Sequence, residues 1–258
     1  MLAPDRVVAA EDAKRRVLAD VTETRFGTFV HDPAHENRAA ATQLLDARLP
    51  GVDAPTAPAR DQAARRLLGR VDALFDRHDL PHRVAAGVDA ETAARLAPLA
   101  RARGYEREDY WALVGHRVDA PAIADEIKFE IRPHGSDAAG AVHESVGRDR
   151  DGIAYAAAVA SELGGQELLA FRDGEPVGAA GWYVHGAADD PVARLTHVGV
   201  HPRAQGEHVG STLARAAVDR CPLPADRVVG CATAARVGFY ERLGFVRNTA
   251  LWRFARLP

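Results

Sequence analysis

Between Ala59 and Asp76 the apolar residues Ala63, Leu67, Val71, Leu74 and Phe75 return at helical spacing, which predicts a helix burying one face. The stretch GVDAPTAP at 51–58, rich in proline and small residues, predicts the loop leading into it. After Pro81, HRVAAGVDA alternates like a strand, ETAARLAPLARAR reads as a helix, and EDYWALVG after Gly104-Tyr105 reads as a strand. In the second half, IKFEIRP at 127–133 predicts a strand and SDAAGAVHESVG a helix with Ser136 at its N-cap. QELLAFRDGEPVGAAGWYV predicts a hairpin about Asp173-Gly174. VARLTHVGVHP predicts one strand of about nine residues, followed by the loop RAQGEH and the helix VGSTLARAAVDR. Gly206 and Gly210 frame that turn.

The strand–helix–strand order occurs twice. Residues 226–254, DRVVGCATAARVGFYERLGFVRNTALWRF, line up with 82–114, HRVAAGVDAETAARLAPLARARGYEREDYWALV. Both share an Arg-Val strand start, an Ala-Ala-Arg helix opening, a glycine-aromatic helix end and a final strand containing Trp. The pattern predicts a tandem duplication, with lobes at 1–126 and 127–258 and a connector in HRVDAPAIADE at 116–126.

A chain of 258 residues, 47% hydrophobic and 27% charged, holds one large domain or two small ones. Net charge is −3 with both signs interleaved, so no basic face suited to nucleic acid is expected. No apolar run reaches bilayer length, and MLAPDRVVAAEDAKRR lacks the apolar core of a secretory signal; a cytoplasmic protein without a membrane partner is the expectation. Cys221 and Cys231 are too few for a disulfide framework and are expected reduced and structural. His31 and His35 in HDPAH lack a third partner, so no metal is assigned.

Val198-Gly199-Val200-His201-Pro202-Arg203-Ala204-Gln205-Gly206-Glu207-His208-Val209-Gly210-Ser211 takes a strand through a glycine-bearing turn into a helix. Backbone N–H groups at such a turn converge on one place, which favours an anion. The glycines allow positive φ and close backbone approach, and Ser211 can add a hydroxyl. The order V-x-V-x-P-x-x-Q-G-x-x-V-G-S-x-L, followed by F-Y-E-R-L-G-F, resembles the acyl-CoA signature of the GNAT N-acetyltransferase superfamily, over roughly residues 127–258.

The resemblance implies an α/β (α+β) fold: a mixed, mostly antiparallel central sheet flanked by helices, in two tandem GNAT-like lobes of which the first is degenerate. It implies acetyl-CoA as co-substrate, with Val198, Gly199 and Val200 along the pantetheine arm, and Gln205, Gly206, Glu207, His208, Val209, Gly210 and Ser211 around the pyrophosphate. Arg203 would screen phosphate charge, and Tyr240 would protonate the departing thiolate. His208 stands where the family has glycine, and Thr233 where it often has an Asn that contacts the pantetheine arm. Arg194 and Thr196 stand where it often has a Glu or His base. Alternation sends His197 to the opposite face, and His185 or Tyr183 would need a bridging water. In the first lobe Ala100 matches Tyr240 and no glycine precedes the helix, so that lobe is not expected to bind CoA. The implied activity is acetyl transfer to a primary amine of a small molecule. The alternatives are a non-catalytic acyl-CoA-binding or sensing module, and another acyl-CoA reaction such as decarboxylation.

Overall fold

The two residues Asp173 (φ 52) and Gly174 (φ 81) both have positive φ, the backbone of a tight hairpin turn, and they join two strands where the alternating pattern predicts them. The computed structural model describes residues 2–49, 56–116 and 126–258. The proposed connector falls almost wholly outside the described residues, as does most of the loop at 51–58.

Along the chain come α1 (Pro4–Arg16), β1 (Asp20–Thr24), β2 (Gly27–His31), β3 (Thr42–Leu45), α2 (Ala57–Arg77), β4 (Arg83–Gly87), α3 (Ala90–Arg101) and β5 (Glu106–Gly115). Then follow β6 (Lys128–Pro133), α4 (Asp137–Ser145), α5 (Arg150–Glu162), β7 (Gln166–Arg172), β8 (Glu175–His185), β9 (Val192–Leu195) and β10 (Gly199–Val200). The chain ends with α6 (Val209–Arg220), β11 (Val228–Thr233), α7 (Ala234–Arg242) and β12 (Phe245–Arg256).

These elements form two compact units, Met1–Val17 with Trp111–Thr249, and Leu18–Tyr110 with Ala250–Pro258. Helix α1 belongs with the second half of the chain, and β5 and β12 each begin in one unit and end in the other.

In the first unit β6, β7, β8 and β9 pair in antiparallel order, β9 pairs in parallel with β11, and the end of β5 lies next to β11. Strand β7 is buried on both faces, as expected where helices cover both sides of a sheet. Leu168 and Ala170 pack with Leu213, Ala214 and Ala217 of α6, whereas Leu169 packs with Ala139 and Val142 of α4. Ser136 caps α4 by accepting from the N–H of Ala139 at 3.4 Å. Helix α1 lies against β9, β11 and α5.

In the second unit β1, β2 and β3 are antiparallel, β3 pairs in parallel with β4, and the end of β12 runs antiparallel to β4. The face of α2 carrying Ala64, Leu67, Leu68, Val71, Leu74 and Phe75 is buried; Ala63, on the expected face, is half-buried. The two units repeat one order: antiparallel strands, a strand, a helix, a strand parallel to the previous one, and a further helix. Helices α3 and α7 both stop at a positive-φ glycine, Gly104 (φ 76) and Gly244 (φ 90), followed by a buried aromatic, Tyr105 or Phe245.

At the β4–β12 pairing, Gly87 faces Trp252, whose Nε1 donates to Asp89 O at 2.9 Å. A Cβ on Gly87 would stand 2.7 Å from Trp252 Cζ2 and 2.8 Å from Ala47 O. Gly87→Ala is therefore expected to destabilise the protein by about 1–3 kcal/mol, read as a lower midpoint in denaturant.

Candidate functional site

The stretch expected to form one strand is broken. Strand β9 ends at Leu195, and β10 resumes at Gly199. Leu195 faces Trp182, but Gly199 faces Ala179 and Val200 faces Gly178, a register one residue out of step. Thr196, His197 and Val198 hold the extra residue, as in a β-bulge. The bonds to β8 persist on either side: Thr196 N–H donates to Gly181 O at 2.7 Å, and His201 N–H to Val177 O at 2.9 Å.

The bulge has two consequences. First, β11 pairs with β9 at Ala193 and Arg194, while β10 pairs with β8 alone, so the far edge of β10 is open. The His201–Val177 bond fixes the alternation, so Val200 turns its N–H and C=O toward that open edge. Its carbonyl accepts from Gln205 Nε2 at 3.0 Å. Second, side-chain alternation slips. Val198 and Val200 pack toward the α6 side, Gly199 faces His143 of α4, and the His197 ring meets His143 at 6.3 Å between centroids. His197 thus lies on the side expected for Arg194 and Thr196, because simple alternation does not survive the bulge.

Beyond β10, His201 Nδ1 accepts from the N–H of Arg203 at 3.2 Å and opens a single 3-10 turn, Pro202–Ala204. Arg203 is exposed, its Nη2 4.0 Å from Glu175 Oε2. Gly206 has φ 85 with open space where a Cβ would be, whereas Gly210 is required by proximity, a Cβ there lying 3.1 Å from Val200 Cγ2. His208 adopts the left-handed conformation (φ 60) and gives α6 no side-chain cap. The first helical bond into this turn runs from Thr212 N–H to His208 O at 3.0 Å, leaving the N–H groups of Val209, Gly210 and Ser211 to face outward. Ser211 Oγ donates to His208 O at 2.8 Å, so its proton is spent locally. Glu207 is ion-paired with Arg172, which lowers its carboxyl pKa.

Across the open edge, Tyr240 of α7 lies over β11: a Cβ on Gly230 would be 3.8 Å from Tyr240 Cε1. Phe239 and Phe245 hold the ring edge-on, at centroid distances of 5.0 and 5.6 Å. Burial raises the phenol pKa, and its hydroxyl has no hydrogen-bond partner among the described residues. Thr233, exposed at the start of α7, makes no side-chain cap there.

Helix α1 brings groups that sequence reasoning missed. Glu11 Oε2 accepts from Arg194 Nε at 2.6 Å, both side chains being buried, and Lys14 and Arg15 pair with the same carboxylate. Burial alone would raise the Glu11 pKa; Arg194, Lys14 and Arg15 outweigh it and hold the carboxyl well below its usual range. Burial lowers the Lys14 pKa. Tyr183 donates to Ala10 O at 2.9 Å, and His185 ends β8 with its pKa lowered by burial. Acidic residues in an otherwise ordinary amphipathic helix carry no signal of what they will meet. A glycine within a strand pattern, as at 199, does signal a bulge.

Cys221 and Cys231 are free thiols, Cys221 buried and Cys231 half-buried. His35 Nδ1 pairs with Asp32 at 2.9 Å and His31 Nδ1 with Thr42 Oγ1 at 3.2 Å. Among the described residues no three His, Cys, Asp or Glu side chains gather as metal ligands, and no helix is long and apolar enough to cross a membrane.

Residues 138–245 match the Acetyltransferase (GNAT) family. They form a GNAT domain. Similar solved structures extend the likeness beyond it. A GCN5-related N-acetyltransferase from Kribbella flavida is 17% identical with a TM-score of 0.64, over 99% of this chain and 96% of that one. A functionally unknown conserved protein from Staphylococcus epidermidis is 14% identical with a TM-score of 0.65, over 95% and 96% of the two chains. A tandem GNAT protein from the clavulanic acid biosynthesis pathway, 15% identical, gives a TM-score of 0.59 over 93% of this chain and 78% of its own. At these identities the likeness is one of fold, and it is the mixed, mostly antiparallel tandem GNAT fold. No curated protein matches the chain.

Replacing Glu11 by Ala leaves Arg194 buried without its counter-charge, an expected loss of about 3–5 kcal/mol in chemical denaturation. The sign with pH follows from the lowered carboxyl. The stabilisation is complete above the ordinary value of 4.5 and is lost as pH falls below it, so wild type and Glu11→Ala should converge in acid.

Proposed function

We propose that the protein is an N-acetyltransferase that moves an acetyl group from acetyl-CoA to a primary amine of a small molecule, by direct attack in a ternary complex. The observation that carries this reading is the open edge of β10, where Val200 presents its N–H and C=O with no neighbouring strand among the described residues. An extended pantetheine arm offers amide groups that pair with such an edge as an added strand does, along Val198, Gly199 and Val200. The pyrophosphate would meet the N–H groups of Val209, Gly210 and Ser211 at the positive end of α6, within the turn from Gln205. Arg203 and Thr233, both exposed, supply a cation and a hydroxyl at the borders of this path. The half from 127 to 258 would hold acetyl-CoA, and the lobe at 1–126 would complete the protein without binding it.

In the reaction the backbone orients the thioester and binds the charge developing on its carbonyl oxygen. The amine nitrogen forms the new C–N bond and gives up its surplus proton, the C–S bond breaks, the thiolate takes the proton of Tyr240, and the phenolate regains one from water. A phenol with a raised pKa is protonated when the thioester arrives, as a general acid must be.

One observation favours a non-catalytic acyl-CoA-binding module: Arg194, at the expected position of a base, is tied to Glu11. The unpartnered Tyr240 hydroxyl opposes it. Decarboxylation of an acyl-CoA would need no amine and is distinguished by its product.

Calorimetric titration with acetyl-CoA is expected to show micromolar binding that Ser211→Glu abolishes. A carboxylate in the first turn suits the helix but repels the pyrophosphate, so the variant should remain folded. Absence of binding by the wild type would sink the reading. In a thiol-release assay with an amine panel, Tyr240→Phe should lower kcat about 100-fold with acetyl-CoA binding intact. A pure binding module would lose nothing.

A further inference from the structure

The bulge that opens β10 also gathers imidazoles. His143 of α4 is 6% exposed, and its Nδ1 is buried with no hydrogen-bond partner. That Nδ1 lies 3.2 Å from where a Cβ on Gly199 would stand, so glycine is what lets the ring rest against the strand backbone. His197, in the bulge itself, meets the His143 ring edge-on at 80° and is open to solvent. One ring is thus buried, and the other, two residues before β10, is accessible from solvent.

The groups facing this pair are Arg148 after α4, Lys14 of α1, Arg194 of β9 and His134 before α4. Burial, then Arg148 and His134, push His143 down to about 4. His197 reaches solvent at its surface but is closely surrounded by protein, and that burial, then Arg148, Lys14, Arg194 and His143, holds its pKa well below the ordinary value. Both rings are neutral near pH 7 and can accept a proton. The other candidates are engaged: Arg194 is paired with Glu11, the Tyr183 hydroxyl donates to Ala10 O, and Glu11 is held ionised by three cations.

The geometry points to His197 as the group that takes the proton of the attacking amine, with His143 as the positioning residue that holds its ring. This rests on the acetyl-transfer reading. As the C–N bond forms, nitrogen gives its surplus proton to His197, while the sulfur leaving from the broken C–S bond takes the proton of Tyr240. His197 then releases its proton to water, and the Tyr240 phenolate regains one from water. Neither step needs a further co-reactant.

With an accepted amine, His197→Ala should lower kcat about 100-fold at pH 7 and leave KM for acetyl-CoA unchanged. The deficit should shrink as pH rises toward the amine's own pKa, and added imidazole should restore part of the rate. His143→Gln should lower kcat less, with the same pH trend. Imidazole ¹⁵N shifts give a readout independent of turnover: acetyl-CoA should move the signals of His143 and His197 but not that of His78. A wild-type kcat and pH profile in His197→Ala would overturn the assignment. So would unmoved signals when calorimetry shows saturation. Failure of acetyl-CoA to bind takes down this inference together with the reading it rests on.

Discussion

One residue too many, between Thr196 and Val198, governs the geometry of the candidate site. Had β9 run on in register, residues 196–200 would have stayed beside β11 and closed the edge with ladder hydrogen bonds. The slip keeps β10 on β8 and releases it from β11. An unpaired edge inside a sheet is costly unless something else satisfies it. Gln205 bonds the Val200 carbonyl, and the remaining N–H is the group a strand-like ligand would complete. Gly210 allows α6 to start against Val200, which brings the helix N-terminus to the end of the same edge.

The face opposite α6 solves a different problem. Arg194 is buried on β9, and a guanidinium in such a place is tolerated only with a counter-charge. Glu11 supplies it from α1, more than 180 residues away in sequence. This accounts for a chain whose first helix belongs with its second half. The pairing leaves Arg194 and Glu11 unsuited to moving protons, while burial, ahead of the nearby cations, lowers the pKa of the His143 and His197 imidazoles.

Much of the fold was legible because it rests on local rules. The Asp173-Gly174 turn, the Ser136 cap, the buried stripe of α2 and the repeat of strand, helix and strand each follow from spacing and turn chemistry. The glycine-bearing turn into α6 and the place of Tyr240 on α7 followed from the spacing of the motif. Two things were not. The bulge depends on competition between β8 and β11 for one segment, which period-two reading cannot register, and so His197 was assigned to the wrong face. The Glu11–Arg194 pair is a long-range contact between residues whose local patterns are unexceptional. The strands β5 and β12 start in one unit and finish in the other, which no composition shift marks.

The repeat also shows why the proposed chemistry rests on one unit. In the second unit β3 stands where β9 does in the first, between an antiparallel neighbour and a parallel one. After β3 ends, however, Ala47 N–H still donates to Ala86 O of β4 at 2.9 Å, so the chain remains joined to its parallel neighbour where β10 parts from its own. The wedge that would admit an extended ligand is closed by a backbone hydrogen bond. At the matching place on α3, Ala100 is fully buried where α7 presents the half-buried Tyr240. With the edge closed and alanine at the place of the tyrosine, the second unit lacks the features on which the proposed reaction rests. Within the strand–helix–strand order the two units share, the features that matter to the proposed site are one register slip and one side chain.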